Sequence, residues 1–363
     1  MREKRKIEDL VKKAIEKKVF PGCSIGISTF FKEKRETAFF SFGSLDYETG
    51  INDQQTLYDL ASLTKPLSTT LSIITLIKKN KLHYNTLLED LLEMEVPKDK
   101  KNINLYSLLN HSSGLTGYYP FYREMEDGDY VKNNNEIVEK ILSHPLEYET
   151  SKKQLYSDLG FLLLGKIIEK KAKPLDEFSR LSIYKPLGID KDIFFNAGNF
   201  IKKNRVYAPS EECLWREKKV CGQVHDDNAY VLGGVCGHAG LFANIYSVME
   251  LVTTIEDILK RRKKVSGIRR EDLQKCVTKQ SDLGTWGLGF DTPSEFSSSG
   301  RFFSKNSFGH LGFTGTSFWT DLDRGVSIVL LTNRTYPDRE NNKIREFRPV
   351  FHDLIMSLLL KNN

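Results

Sequence analysis

The chain has 363 residues, 39% of them hydrophobic and 28% charged, with a formal net charge of +6. That balance fits a globular protein with a sizeable core and excludes a disordered chain. The basic residues are spread out, in short runs such as KRRKK (260–264), and lack the clustered footprint of a nucleic-acid binder.

The longest apolar run, GFLLLGKII (160–168), contains Lys166 and is too short to cross a bilayer. The N-terminus has no uninterrupted apolar stretch of the kind a secretory signal carries. Cys23, Cys213, Cys221, Cys236 and Cys276 form an odd, irregular set, which reads as free thiols in a reducing cytoplasm.

In chain order, the first element is an amphipathic helix with Ile7, Leu10, Val11, Ala14 and Ile15 on one face. CSIGISTFF (23–31) and RETAFFSFG (35–43) flank the charged turn KEK and read as a hairpin. Residues 56–285 are mainly helical or loop-like, with helices in PLSTTLSIITLIKKN (66–80), DLGFLLLGKIIEKKA (158–172) and SVMELVTTIEDILKRR (247–262). Strands return in GRFFSKNSFGH (300–310), FTGTSFWTDL (313–322) and GVSIVLLTN (325–333). A last helix, REFRPVFHDLIMSLLL (345–360), carries Pro349 as an early turn or kink. The economical arrangement is α/β of the α+β type. One antiparallel sheet is built from both termini (1–55 and 286–363), with terminal helices covering it. A mostly helical unit (56–285) is inserted, and the site lies at the junction.

Three segments carry chemistry. In ASLTKPLSTT (61–70), Pro66 places a helix start close to Ser62, and the i, i+3 spacing puts Lys65 on the same face. A hydroxyl is a weak nucleophile until a neighbour takes its proton, and a lysine packed among apolar groups has a depressed pKa suited to that task. A second Ser-x-x-Lys, Ser182 and Lys185, runs into Pro-Leu-Gly and reads as a helix end. QLYSDLGFLLLG (154–165) sets Tyr156, Ser157 and Asp158 before an apolar helix, which also suits an ordinary helix cap. GHLGFTGTSFW (309–319) sets His310 and Gly312 at a strand entry.

GCSIG (22–26) matches the Gly-x-Ser-x-Gly elbow, but with helix before and strand after, the reverse of what an elbow needs. Ser24 therefore reads as a strand residue. The glycines at 233, 234, 237 and 240 lack a Gly-Lys-Ser/Thr ending, and no His-Glu-x-x-His or paired-cysteine zinc pattern occurs, so neither cofactor nor metal is expected. His225, Asp226 and His238 fall in a loop-rich stretch and read first as loop bracing.

Ser-x-x-Lys, Tyr-x-Asp and His-x-Gly, in this order, resemble the serine β-lactamase and penicillin-binding-protein superfamily. The closer likeness is to its class C-like branch of esterases, peptidases and lactamases. LLNHSSGL (108–115), PLGI (186–189) and VHDDNAYVLGGVCGHAGLF (224–242) extend the resemblance over nearly the whole chain. The resemblance implies a β-lactamase/transpeptidase-like fold and a serine hydrolase without cofactor, and the free thiols and lack of a visible signal add the expectation of a cytoplasmic setting. Ser62 would form an acyl-enzyme, Lys65 and Tyr156 would share the proton work, and the backbone N–H groups of Ser62 and Phe313 would form the oxyanion hole. Asp158, His310 and Gly312 would contact the substrate, a small ester, amide or lactam. A D-amino-acid peptidase or amidase, a weak β-lactamase, and a non-catalytic binder or sensor are the alternatives. No nucleic-acid or membrane partner is implied, and no oligomeric state is assigned.

Two departures stand out. Asp158 replaces the branch's asparagine and could pair with Lys65. His310 replaces the lysine of efficient β-lactamases. With an ordinary pKa near about 6.5, it would be mostly neutral at pH 7 and would gain charge toward pH 5.5. The site is therefore expected to lack fixed positive charge for a lactam carboxylate.

Overall fold

The computed structural model describes residues 2–295 and 297–360. The N-terminal helix (Arg2–Glu16) is followed by strands β1 (Gly22–Phe31) and β2 (Lys34–Gly43), paired as an antiparallel hairpin with Ile25 opposite Phe40. The middle of the chain contributes the helices Leu71–Lys78, Asp158–Lys171 and Ile245–Leu259. It also contributes short strands that sequence patterning did not resolve. These are β3 (Tyr58–Asp59), β4 (Ile193–Phe195), the hairpin β5 (Glu211–Cys213) and β6 (Lys218–Val220), and β7 (Leu241–Ala243). The C-terminal part supplies β8 (Ser307–Leu311), β9 (Ser317–Asp321), β10 (Val326–Thr332) and the final helix (Ile344–Leu360), with Pro349 in its second turn.

The five-stranded sheet runs β2-β1-β10-β9-β8 and is antiparallel throughout. The termini meet at the β1–β10 pair, from Cys23 opposite Thr332 to Thr29 opposite Val326. The period-2 alternation of β10 divides the core in two. Ile328 and Leu330 face the terminal helices, together with Ile25, Val11, Phe347 and Phe351. Val329 and Leu331 face the helical region, against the cluster that includes Leu63, Leu67 and Phe161. Gly26 on β1 allows the helix Ile245–Leu259 to approach, because a Cβ there would lie 2.8 Å from Met249 Cε. Ser24 is buried in β1, with its hydroxyl near Ser41 Oγ and the Asp53 carbonyl, so the Gly-x-Ser-x-Gly string is strand packing.

The strand expected over 300–310 is shorter than its composition suggests. Residues 300–306 form turns, and only Ser307–Leu311 pairs. The Asp321 carboxylate accepts from both the N–H and the hydroxyl of Ser304, satisfying that N–H without a ladder. Among the described residues no helix is long and apolar enough to cross a membrane.

Candidate active site

Ser62 lies in a 3₁₀ turn (Ala61–Leu63) that leads into a π-helical stretch (Lys65–Thr70) and then the helix Leu71–Lys78. Pro66 sits at the start of the π-helical stretch, as its missing N–H requires. Ala61 adopts a left-handed φ of 47°, costly for a residue with a Cβ, and is held there by its N–H donating to Asp59 Oδ1 at 2.7 Å. Single-turn π geometry and strained backbone concentrate at functional sites. The motif is therefore anchored more tightly than the plain α-helical start expected from the sequence.

Lys65 is fully buried. Its ammonium donates to Ser62 Oγ at 3.0 Å, to Asp158 Oδ1 at 2.6 Å and to the His238 carbonyl at 3.2 Å. Three donors thus meet three acceptors. Burial, the largest single effect, disfavours the charged amine, but Asp158 and Tyr156 together outweigh it, and the Lys65 pKa is raised above its ordinary value. The depressed lysine pKa expected from the sequence is overturned, because burial acts here together with an ion pair.

Tyr156 stands beside this pair, with Lys65 Nζ 4.7 Å from its ring centroid. Burial pushes the phenol up to about 12, opposed by the lysine charge. Ser157 caps the helix Asp158–Lys171, its hydroxyl accepting from the Gly160 N–H, so Tyr-Ser-Asp does cap a helix while setting Tyr156 and Asp158 on the site. Behind it, His111 Nδ1 accepts from the Ser157 N–H at 3.1 Å. Burial holds that imidazole well below its ordinary range, which keeps the accepting lone pair free.

His310, at the end of β8, is buried, with Nδ1 2.8 Å from the Leu311 carbonyl. Burial first, then the Lys65 charge, pushes its pKa down to about 3. His310 is therefore neutral across pH 5.5 to 8.5, and the expectation that it gains charge near pH 5.5 is overturned. Gly312 must be glycine, since a Cβ would lie 2.0 Å from Thr316 Oγ1 and 2.6 Å from the Leu60 carbonyl. That close approach, together with Thr316 Oγ1 donating to the Leu60 carbonyl at 3.1 Å, brings Phe313 toward the Ser62 turn. Phe313 lies in the turn after β8, not on the strand. Among the described residues its N–H has no hydrogen-bond acceptor.

These groups open onto a cavity of about 620 Å³ lined by Ser62, Tyr156, Asp158, His310, Gly312 and Phe313. His225, Asp226 and His238 line it as well, and they are also braced. The His225 N–H donates to Asp59 Oδ2 at 2.6 Å, and His238 Nε2 lies 2.9 Å from Asp226 Oδ1. The sequence reading missed the arginines. Arg334, Arg345 and Arg348 reach the cavity from beyond β10 and from the final helix. Burial, reinforced by neighbouring guanidinium charge, presses Arg334 down to about 10 and Arg348 to about 9, and both remain cationic at neutral pH. A site without fixed positive charge was expected. The structure corrects this, for nothing in the local sequence around 334 or 348 shows where those side chains point.

The family model for Beta-lactamase matches residues 7–349. A protein named "Putative D-alanyl-D-alanine carboxypeptidase" from Escherichia coli O157:H7 is 31% identical over 304 residues, covering 77% of this chain and 70% of the relative. An "N-acetylmuramyl-L-alanine amidase" from Bacillus subtilis is 29% identical over 304 residues, covering 78% and 69%. Among solved structures, a D-amino acid amidase from Ochrobactrum anthropi SV3 superimposes over 100% of both chains, with a TM-score of 0.75 at 18% identity, a likeness of fold.

Proposed function

The chain belongs to the Beta-lactamase family and is a serine hydrolase, and on that premise we propose that Ser62 is its nucleophile, acting on a small ester or amide. The observation that carries this reading is the contact of a buried lysine ammonium with the Ser62 hydroxyl in the wall of the cavity. In acylation, Ser62 Oγ bonds to the substrate carbonyl carbon. Its proton passes to the Lys65–Tyr156 pair, and the carbonyl oxygen takes up charge between the N–H groups of Ser62 and Phe313. The bond to the leaving group breaks, and that group receives the proton. Water then attacks the Ser62 ester, releasing the acid and restoring the hydroxyl. Preorganised donors aimed at the developing charge each contribute about 2.7–4 kcal/mol in such sites. Ser62, Lys65 and Tyr156 come from 56–285 and Phe313 from the C-terminal segment, which supports catalysis at the junction of the two units. All five cysteines are free, which supports a cytoplasmic setting.

Lys65 and Tyr156 both hold their protons at neutral pH, one raised by Asp158 and one pushed up to about 12. The pair must lose a proton before it can take one from Ser62. The value of kcat/KM for a neutral nitrophenyl ester, corrected for spontaneous hydrolysis, should therefore rise with pH. Asp158→Asn removes the carboxylate that raises the lysine pKa, so the rising limb should move to lower pH. A limb that stays in place would show that Lys65 does not gate acylation.

A second reading is favoured by the cavity's guanidiniums. Among the described residues Arg334 donates to the backbone carbonyls of Phe313, Arg339 and Asn341 and to no carboxylate, Glu340 acting on it without a hydrogen bond, which supports a substrate carboxylate as a direct partner. On this reading the substrate is a peptide ending in D-alanine, as the relatives' names suggest. An N-acylated D-alanyl-D-alanine should then be cleaved with a higher kcat/KM than its C-terminal amide. Equal values for the two would remove this reading and leave the ester or amide one.

A further inference from the structure

The peptide unit joining Gly312 to Phe313 is planar, so the Gly312 carbonyl and the Phe313 N–H point in opposite directions. The carbonyl end is held from within the protein. Arg348 Nη2 donates to the Gly312 carbonyl at 2.8 Å and to the Thr316 carbonyl at 2.8 Å, and the Gly315 N–H adds a turn bond to Gly312 at 3.1 Å. Among the described residues the N–H end has no acceptor, and it belongs to a residue that lines the cavity with Ser62.

Arg348 comes from the final helix and is 6% exposed. The charged groups that act on it are Arg334 and Arg345, both of its own sign. Buried arginines are ordinarily paired, and a lone buried charge is more costly than an apolar side chain of the same volume. Packing alone therefore does not account for a guanidinium here. Its position on the back of one peptide does. A cation at the carbonyl oxygen polarises the whole amide and makes its N–H a stronger donor. Arg334 Nε repeats the arrangement one residue on, at the Phe313 carbonyl, 2.7 Å away.

We propose that Arg348 is a positioning residue for acyl transfer, holding and polarising the Gly312–Phe313 peptide so that the Phe313 N–H meets the substrate's carbonyl oxygen. This rests on the reading of Ser62 as nucleophile. The role is electrostatic and acts through the backbone, so it applies to neutral esters as well as to substrates carrying a carboxylate.

The test uses a neutral nitrophenyl ester labelled with ¹³C at the carbonyl. The burst gives the acylation rate, and infrared difference spectra give the acyl-enzyme carbonyl stretch. In R348M the burst rate should fall about tenfold or more, the scale of a weakened oxyanion donor. The carbonyl band should move to higher wavenumber, because a less polarised N–H draws less charge onto the oxygen. R348K keeps the charge with poorer reach and should lie between. A folded R348M with the wild-type rate and band overturns the proposal. Should R348M fail to fold, R348K and R348Q decide. A larger band shift in the uncharged glutamine variant supports the role, and wild-type bands in both overturn it. Absence of any adduct on Ser62 in the wild-type protein would instead defeat the underlying reading of the nucleophile.

Discussion

Ser62→Ala should lower kcat/KM for a nitrophenyl ester by roughly 10⁴-fold or more, the scale on which hydrolases lose activity with their nucleophile. Lys65 Nζ donates to this hydroxyl at 3.0 Å, and the hydroxyl opens onto the cavity. Without Oγ no ester to the protein can form, and only the oxyanion donors and substrate binding remain. The fold should be indifferent. Lys65 keeps Asp158 and the His238 carbonyl as partners, and a half-buried Ser62 loses one atom. Thermal unfolding should therefore show a near-native midpoint beside the lost activity. Retained turnover in a folded variant would remove Ser62 from the mechanism.

Lys65→Met should lower both activity and stability, and the two losses have separate causes. Removing the group that moves the serine proton costs about 10²- to 10⁴-fold in rate. The stability loss comes from Asp158, whose carboxylate is left without its 2.6 Å partner beside a buried site. Asp158 is 19% exposed, so water relieves part of the penalty, and roughly 1–3 kcal/mol is expected. Neutralising that carboxylate in a Lys65→Met, Asp158→Asn double variant should recover stability and leave activity low. This coupling is what a double-mutant cycle measures. If the double variant is no more stable than Lys65→Met alone, the ion pair is not the source of the loss.

What could be read in advance depended on whether the cause was local. The i, i+3 spacing of Ser62 and Lys65 and the position of Pro66 are helix geometry, and the two side chains do touch. The alternation in β1 and β10 is strand geometry, and the terminal strands do pair. The errors were all tertiary. The pairing of Lys65 with Asp158, 93 residues away, is suggested by the sequence, but that it overrides the depressed pKa expected of a buried lysine depends on a contact only the fold brings about. His310 was given an ordinary pKa because nothing in Gly-His-Leu-Gly shows that the ring is sealed from water. Residues 300–306 have strand-like composition, yet distant side chains take their backbone N–H groups, Asp353 that of Arg301 and Asp321 that of Ser304. Arg348 carries no local signal, because its contact depends on the direction of one peptide plane 36 residues earlier in the chain.

On the proposed mechanism Ser62 carries the acyl group. The most direct measurement is intact-mass and peptide-level mass spectrometry after treatment with a fluorophosphonate. One adduct per chain is expected, on the peptide containing Ser62, with activity lost in proportion to labelling. Labelling on Ser24 or Ser182 instead, or full inactivation with Ser62 unmodified, would contradict it.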